Sequence, residues 1–191
     1  MTQQAPKKPG RPRNFERDAI VEASVDVFWR HGASGTTTRV LESELGVSQS
    51  SLYNTYGSKA ELLDQTLAHY DAKLDAAVLA KLTEPSQEAI VGFIDALVLW
   101  VGDTQHPGCL VMNLAMEDPG HAYRLQAYRT KLRRAIKPCV QTFTAEETDV
   151  DTRTELLLAA VLGLTLSAKS GLSAAELQRL GNGIRSQVLA W

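Results

Sequence analysis

Apolar residues recur along this chain at helical spacing from about residue 16 onward. Ile20, Ala23, Val27 and Phe28 stand at i, i+3, i+7 and i+8, one face of a helix from about Glu16 to His31. Gly32 supplies the stop that helix C-termini favour. The hydroxyls of Thr36, Thr37 and Thr38 offer N-caps for a short helix through Leu45, which Gly46 breaks. Ser48 caps a second short helix to about Tyr56, and Gly57 closes it. Ser58 followed three residues later by Glu61 is a capping-box pattern, opening a long helix with Leu63, Leu67, Tyr70, Leu74, Ala77 and Val78 on one stripe. Glu84-Pro85-Ser86 ends that helix. Further helices are expected at about 86–103, 109–117, 121–143, 151–170 and 173–190, with breaks at His106-Pro107-Gly108, Asp118-Pro119-Gly120, residues 144–149 and Gly171. The period-two alternation of strands is absent. The expected fold is all-α, with about nine helices.

The densest constellation runs from Thr36 to Tyr53. Leu41, Leu45, Val47 and Leu52 form one small core between two short helices, and Gly46 supplies the permissive backbone of a tight turn. This is the pattern of a helix-turn-helix. Its second helix then presents Gln49, Ser50, Ser51 and Asn54 outward, side chains that hydrogen-bond base edges or phosphates in a major groove. Tyr53 and Tyr56 bring phenolic hydroxyls toward a nucleic-acid backbone, and Lys59 opens the next helix, where its charge and the helix N-terminus both favour a phosphate. The same spacing also fits two packed helices with a polar surface and no ligand.

Charge adds a direction. The net charge of −2 hides an asymmetry: residues 1–60 hold eight basic against six acidic side chains, and residues 61–191 hold twelve against sixteen. Residues 1–14, rich in Pro, Lys, Arg and Gln, are expected to form a disordered basic arm. Pro9-Gly10-Arg11-Pro12-Arg13 resembles the core of an AT-hook: extended by its prolines, slim at its glycine, with Arg11 and Arg13 suited to a narrow A·T-rich minor groove and Lys7 and Lys8 to phosphates. Pro9 stands where the full hook has arginine. General phosphate attraction and an inert solubilising tail are the other readings of this arm.

Several classes recede. No stretch approaches the roughly 18 apolar residues of a membrane span, and Gly163 and Thr165 interrupt the longest apolar run, so no membrane partner is expected. The basic N-terminus has no apolar run behind it, so a secretory signal is not expected and a cytoplasmic location follows by default. Cys109 and Cys139 lack CxxC spacing, and His31, His69, His106 and His121 form no HxxxH or HExxH pair, so no metal and no cofactor is expected. There is no Gly-rich phosphate loop, no GxSxG and no close His/Asp/Ser arrangement, which argues against an enzyme; Glu146-Glu147 reads as solvated surface.

The N-terminal third resembles the TetR family of one-component bacterial regulators. The resemblance rests on Ala23, Phe28-Trp29-Arg30-His31-Gly32, Thr36-Thr37, Leu45-Gly46-Val47-Ser48, Ser51-Leu52-Tyr53 and Ser58-Lys59-Ala60-Glu61-Leu62-Leu63. It implies a homodimer on a palindromic double-stranded DNA operator, usually a repressor released by a small-molecule effector. The implied division is an arm at 1–14, a helix-turn-helix domain at 15–62 and a ligand-binding and dimerisation domain at 63–191. By position, Thr37, Thr38, Tyr53, Tyr56 and Lys59 look like the phosphate-contacting set, and Gln49, Ser50 and Asn54 like the base readers. The sequence departs from the family at Glu42, where a small alanine is usual, and at Tyr56, where Phe is common.

Gly108-Cys109-Leu110 resembles a subgroup in which the cysteine lies beside the effector pocket, some of whose members respond to electrophiles. A thiol near a helix N-terminus ionises more easily, which suits sensing; a buried small hydrophobe and a simple pocket-lining residue are the alternatives. Trp100, Cys109, Met112, Asn113, Met116, Tyr123 and Tyr128 are candidates to line a cavity for an unidentified effector, and Cys139 reads as structural. Two stripes suit dimerisation through the last two helices: Leu156, Ala160, Gly163, Leu164 and Ser167, then Leu177, Leu180, Ile184, Val188 and Trp191.

Overall fold

The computed structural model describes residues 13–117 and 119–191, with side chains from Arg17 onward. Among the described residues there are nine α-helices and no strand: α1 (Arg13–Gly35), α2 (Thr38–Leu45), α3 (Gln49–Tyr56), α4 (Lys59–Ala77), α5 (Gln87–Val101), α6 (Leu110–Glu117), α7 (Ala122–Gln141), α8 (Glu147–Lys169) and α9 (Ala174–Leu189). Two 3₁₀ turns, Leu79–Leu82 and Pro119–His121, follow α4 and α6.

The stop at Gly32 is present, but one further turn follows it. Gly32 adopts φ 66°, ψ 178°, and the chain returns to helix as far as Gly35. Buried Thr36 closes this break by donating its hydroxyl to the Gly32 carbonyl at 2.6 Å. The Glu117 carboxylate, from the end of α6, occupies the space that a Cβ at Gly32 would need. The positive φ is what favours glycine here; the exposed Glu117 side chain is free to move aside. Helix α8 begins at Glu147 rather than near 151. Residues expected in a connector instead place Glu147 and Asp149 in a first helical turn, where the helix dipole favours negative charge.

One continuous apolar core joins the N-terminal helices to the body. Helix α1 packs on α2, α4 and α6; α4 continues into the body, where α5 packs against α9 and α7 against α8. The boundary expected after residue 62 therefore falls inside α4, between two buried leucines, Leu62 and Leu63. Gly181 lets α9 approach α5 closely, since a Cβ there would stand 2.6 Å from Val98 Cγ2. Arg185 pairs with Asp95 at 2.9 Å across the same seam.

The two stripes proposed for dimerisation are divided by the fold. Leu164, Leu177 and Val188 turn inward and are buried in the body. Leu156, Gly163 and Leu180 are exposed, while Ala160, Ser167, Ile184 and Trp191 are half-buried. Each helix carries one apolar line toward the core and another toward solvent, and a sequence stripe that spans both cannot separate them. What remains outside is a groove of about 420 Å³ lined by Leu156, Ala160, Gly183, Ile184 and Trp191, among others. Among the described residues, no helix is long and apolar enough to cross a membrane.

Candidate nucleic-acid interface

Local hydrogen bonding shapes the α2–α3 unit. Thr37 caps α2, its hydroxyl accepting from Val40 N at 3.2 Å. Gly46 ends α2 in the left-handed region (φ 65°, ψ 26°), its N–H donating to Glu42 O. Ser48 then caps α3, its Oγ accepting from Ser51 N at 3.2 Å, and Gly57 (φ 84°) terminates it. Leu41 and Leu52 form the buried core between the two helices. Leu45 and Val47, expected in that core, only pack at its edge.

Helix α3 therefore presents a polar outer face. Gln49, Ser50, Ser51, Tyr53, Asn54 and Thr55 are all exposed. Ser50 Oγ lies 3.0 Å from Ser48 Oγ, so its hydroxyl is already oriented. Thr37 is exposed and Thr38 half-buried at the start of α2. Two further groups on this face escaped the sequence reading: Thr55, and Arg39 in the first turn of α2, exposed and without an ion pair among the described residues. Arg39 was legible as the only cation between Arg30 and Lys59.

Two expected phosphate contacts make hydrogen bonds inside the protein. Tyr56 is buried, and its hydroxyl donates to the Arg17 carbonyl at 2.8 Å. Burial pushes its phenol pKa up, against the pull of the nearby Arg17 guanidinium. Its role here is to lock α3 onto α1, which corrects the reading of Tyr56 as a backbone contact. Half-buried Lys59 donates to the Ala33 carbonyl at 2.8 Å, satisfying an open carbonyl at the end of α1. An ammonium has three donors, so that bond leaves Lys59 two N–H groups for a phosphate. Arg11 lies outside the described residues. Arg13 begins α1 rather than belonging to a wholly extended arm.

Glu42 is exposed and does not wedge between the helices. Its carboxylate reaches across the turn and accepts the Gln49 N–H at 3.4 Å, at the N-terminus of α3. A negative charge there favours the helix dipole but opposes an approaching phosphate. Glu42→Gln keeps an acceptor and removes the charge. It is expected to raise affinity for DNA of any sequence about two- to five-fold, measured as Kd on specific and random duplexes at one salt concentration. Unchanged or weaker binding to both would contradict this placement of the charge.

The seven effector candidates do not share one cavity. Trp100 is half-buried and lines a cleft of about 830 Å³, donating its Nε1–H to the Tyr70 hydroxyl at 3.0 Å. Cys109, Met112, Asn113 and Tyr128 are buried in the core, whereas Met116 and Tyr123 are exposed. Tyr123 and Tyr128 line a separate groove with Asp71, Arg124 and Lys131. The ionisation argument for Cys109 also fails. Burial pushes its thiol pKa up and outweighs the bonds from the backbone of Met112, the Tyr70 hydroxyl and the backbone of Val111, which favour the thiolate. Cys139 is buried, its sulfur 3.6 Å from the Ala135 carbonyl.

A capped, exposed polar helix on a helix-turn-helix of an all-helical chain is the arrangement that places one helix in a DNA major groove. Residues 20–66 match the sequence model of the family described as bacterial regulatory proteins, tetR family. The chain is 27% identical over 173 residues to an uncharacterized HTH-type transcriptional regulator, YezE, of Bacillus subtilis (strain 168), covering 84% of this chain and 89% of that one. It is 25% identical over 193 residues to the HTH-type transcriptional repressor ComR of Escherichia coli (strain K12), covering 94% and 91%. A cysteine mutant of the TetR family transcriptional regulator CifR, solved in complex with 26-bp double-strand operator DNA, superposes with a TM-score of 0.80 at 25% identity, covering 95% of this chain and 100% of that one. Residues 20–66 thus match the DNA-binding region of the tetR family, and over most of its length the chain is similar to TetR-type DNA-binding transcriptional regulators.

Proposed function

We propose that the chain is a repressor that binds a palindromic operator as a homodimer and is released by a small-molecule effector. The observation that carries this reading is the outer face of α3, where Gln49, Ser50 and Asn54 stand exposed on a helix fixed by the Ser48 cap and the buried Tyr56. Gln49 and Asn54 read base edges in the major groove; an amide pairs bidentately with adenine. Thr37, Thr38, Tyr53 and Lys59 hold phosphates, and Arg39 joins them. Arg11 and Arg13 extend the contact into the minor groove, a reading that rests on their sequence alone. Dimerisation uses the solvent-side line of α8 and α9, with Leu156, Gly163 and Leu180 at its centre, since a two-fold protein matches a two-fold site. The name of the ComR relative supports repression.

The test is a footprint of the purified protein on the DNA flanking its own gene, repeated with candidate ligands and with thiol reagents. The expected result is one protected, two-fold symmetric stretch that a ligand clears. Protection without symmetry would overturn the dimer, and protection no ligand clears would overturn the effector.

Electrophile sensing at Cys109 has less support than a structural role, because the thiol is buried and its pKa is raised. In a Cys139→Ala background, Cys109 of the folded chain is expected to react with a disulfide reagent at least about 100-fold more slowly than in denaturant. If the folded rate matches the denatured one, or if Cys109→Ser abolishes reagent-induced release, the sensing role is restored.

A further inference from the structure

A cleft of about 830 Å³ opens where α1 faces α4 and α5. That lies within the roughly 300–1,000 Å³ of small-molecule sites. Its two ends differ. Toward one end the walls are small: Ala19 and Ala23 on α1, Ala77 on α4 and Ala96 on α5. Four methyl side chains leave a trough between three helices. The other end is aromatic. Trp29, Tyr70 and Trp100 form a ladder with ring centroids 5.8 Å apart at both steps. Leu99 beside them is 75% exposed, an apolar side chain left open to solvent.

Charge is unbalanced at the aromatic end. Asp26 and Asp103 converge on a single imidazole, with His106 Nε2 at 2.8 Å from Asp26 Oδ1 and Nδ1 at 3.9 Å from Asp103 Oδ2. The His106 ring centroid stands 5.1 Å from that of Trp29. One imidazole holds at most one positive charge, so two carboxylates leave this corner at least one charge short in either state of the ring. The remaining charges do not fill the deficit. Glu22 and Lys73 are paired with each other. Lys81 is exposed in the 3₁₀ turn after α4, beyond Ala77 at the opposite end of the cleft.

We propose that this cleft binds an amphipathic organic cation. Its ammonium head sits at the aromatic end, beside the Asp26 and Asp103 carboxylates that His106 bridges and against the indole rings, where the ring faces attract a cation. Its apolar tail lies along the alanine trough. Asp26 and Trp29 belong to α1, whereas Trp100 and Asp103 belong to the body, so the occupant bridges the DNA-binding helices and the rest of the chain. Occupancy therefore changes DNA affinity, and DNA changes the occupant's affinity by the same factor. This coupling rests on the operator-binding reading above; the binding site does not.

The test uses the full chain and three probes that share one body: phenylbutylammonium, phenylbutanol and phenylbutyrate. Binding is followed by calorimetry and by quenching of tryptophan fluorescence. The ammonium is expected to bind at least about ten-fold more tightly than the alcohol, and the carboxylate most weakly. Asp26→Asn and Asp103→Asn, at exposed positions that a fold tolerates, each bring the ammonium to the level of the alcohol and leave the alcohol unchanged. Ala23→Leu fills the trough and weakens both. Equal binding of the three heads, preference for the carboxylate, no effect of either asparagine, or no binding at millimolar concentration would each overturn the site. Binding of the ammonium with unchanged operator affinity removes the coupling. Binding of the ammonium by a chain that protects no operator leaves the site standing and removes the regulatory reading.

Discussion

Phe28→Ala is expected to destabilise the chain by about 3–5 kcal/mol and to cost operator binding along with it. Phe28 is fully buried, on the helix that packs against α2, α4 and α6 at once. Removing its ring leaves a cavity where the DNA-binding helices and the body share their core, and rigid neighbours on three sides cannot collapse into it. Urea unfolding should show a lower midpoint with an unchanged slope. Met116→Ala serves as the control. Met116 is 58% exposed, and its replacement should change stability by no more than about 0.5 kcal/mol. A Phe28→Ala loss as small as that of the control would mean that α1 is not the shared wall described above.

Asn54→Ala is the second large effect, and it acts on DNA rather than on stability. Asn54 is exposed on α3, so truncating its amide leaves the fold unchanged. Loss of a bidentate base contact costs about 1–3 kcal/mol, or roughly five- to 150-fold in Kd for the specific site. Random DNA should bind as before, because the phosphate contacts remain. Gln49→Ala should behave in the same way at a different base pair. An equal loss on specific and random DNA would place Asn54 among the phosphate contacts instead.

The parts of this structure that were legible in the sequence are those decided by neighbours within a turn. Gly32, Gly46, Gly57 and Gly171 mark a helix break and three helix ends with positive φ, and Thr37, Ser48 and Ser58 cap α2, α3 and α4. Each is a bond over three or four residues, which spacing encodes directly. Contacts between distant segments were not legible. Tyr56 finds the Arg17 carbonyl 39 positions away, and Lys59 finds Ala33. Nothing local distinguishes an inward phenol from one that faces DNA. The same limit divided the stripes of α8 and α9: the spacing of Leu164 matches that of Leu156, but one is core and the other surface. It also scattered the effector candidates, because apolar residues with polar tips are common in plain core as well as in pockets. The junction cleft went unrecognised for a related reason. It is made by small residues on three separate helices, and alanine carries no signal of a gap.

The most direct test of the central claim is selection of bound duplexes from a random DNA pool by the purified chain, carried out in parallel with Asn54→Ala. The wild-type chain should enrich one motif of two inverted half-sites. The variant should enrich the same spacing, with preference lost at one symmetric pair of positions. Enrichment of no motif, or of an identical motif by both proteins, would contradict the assignment of α3 as the element that reads DNA.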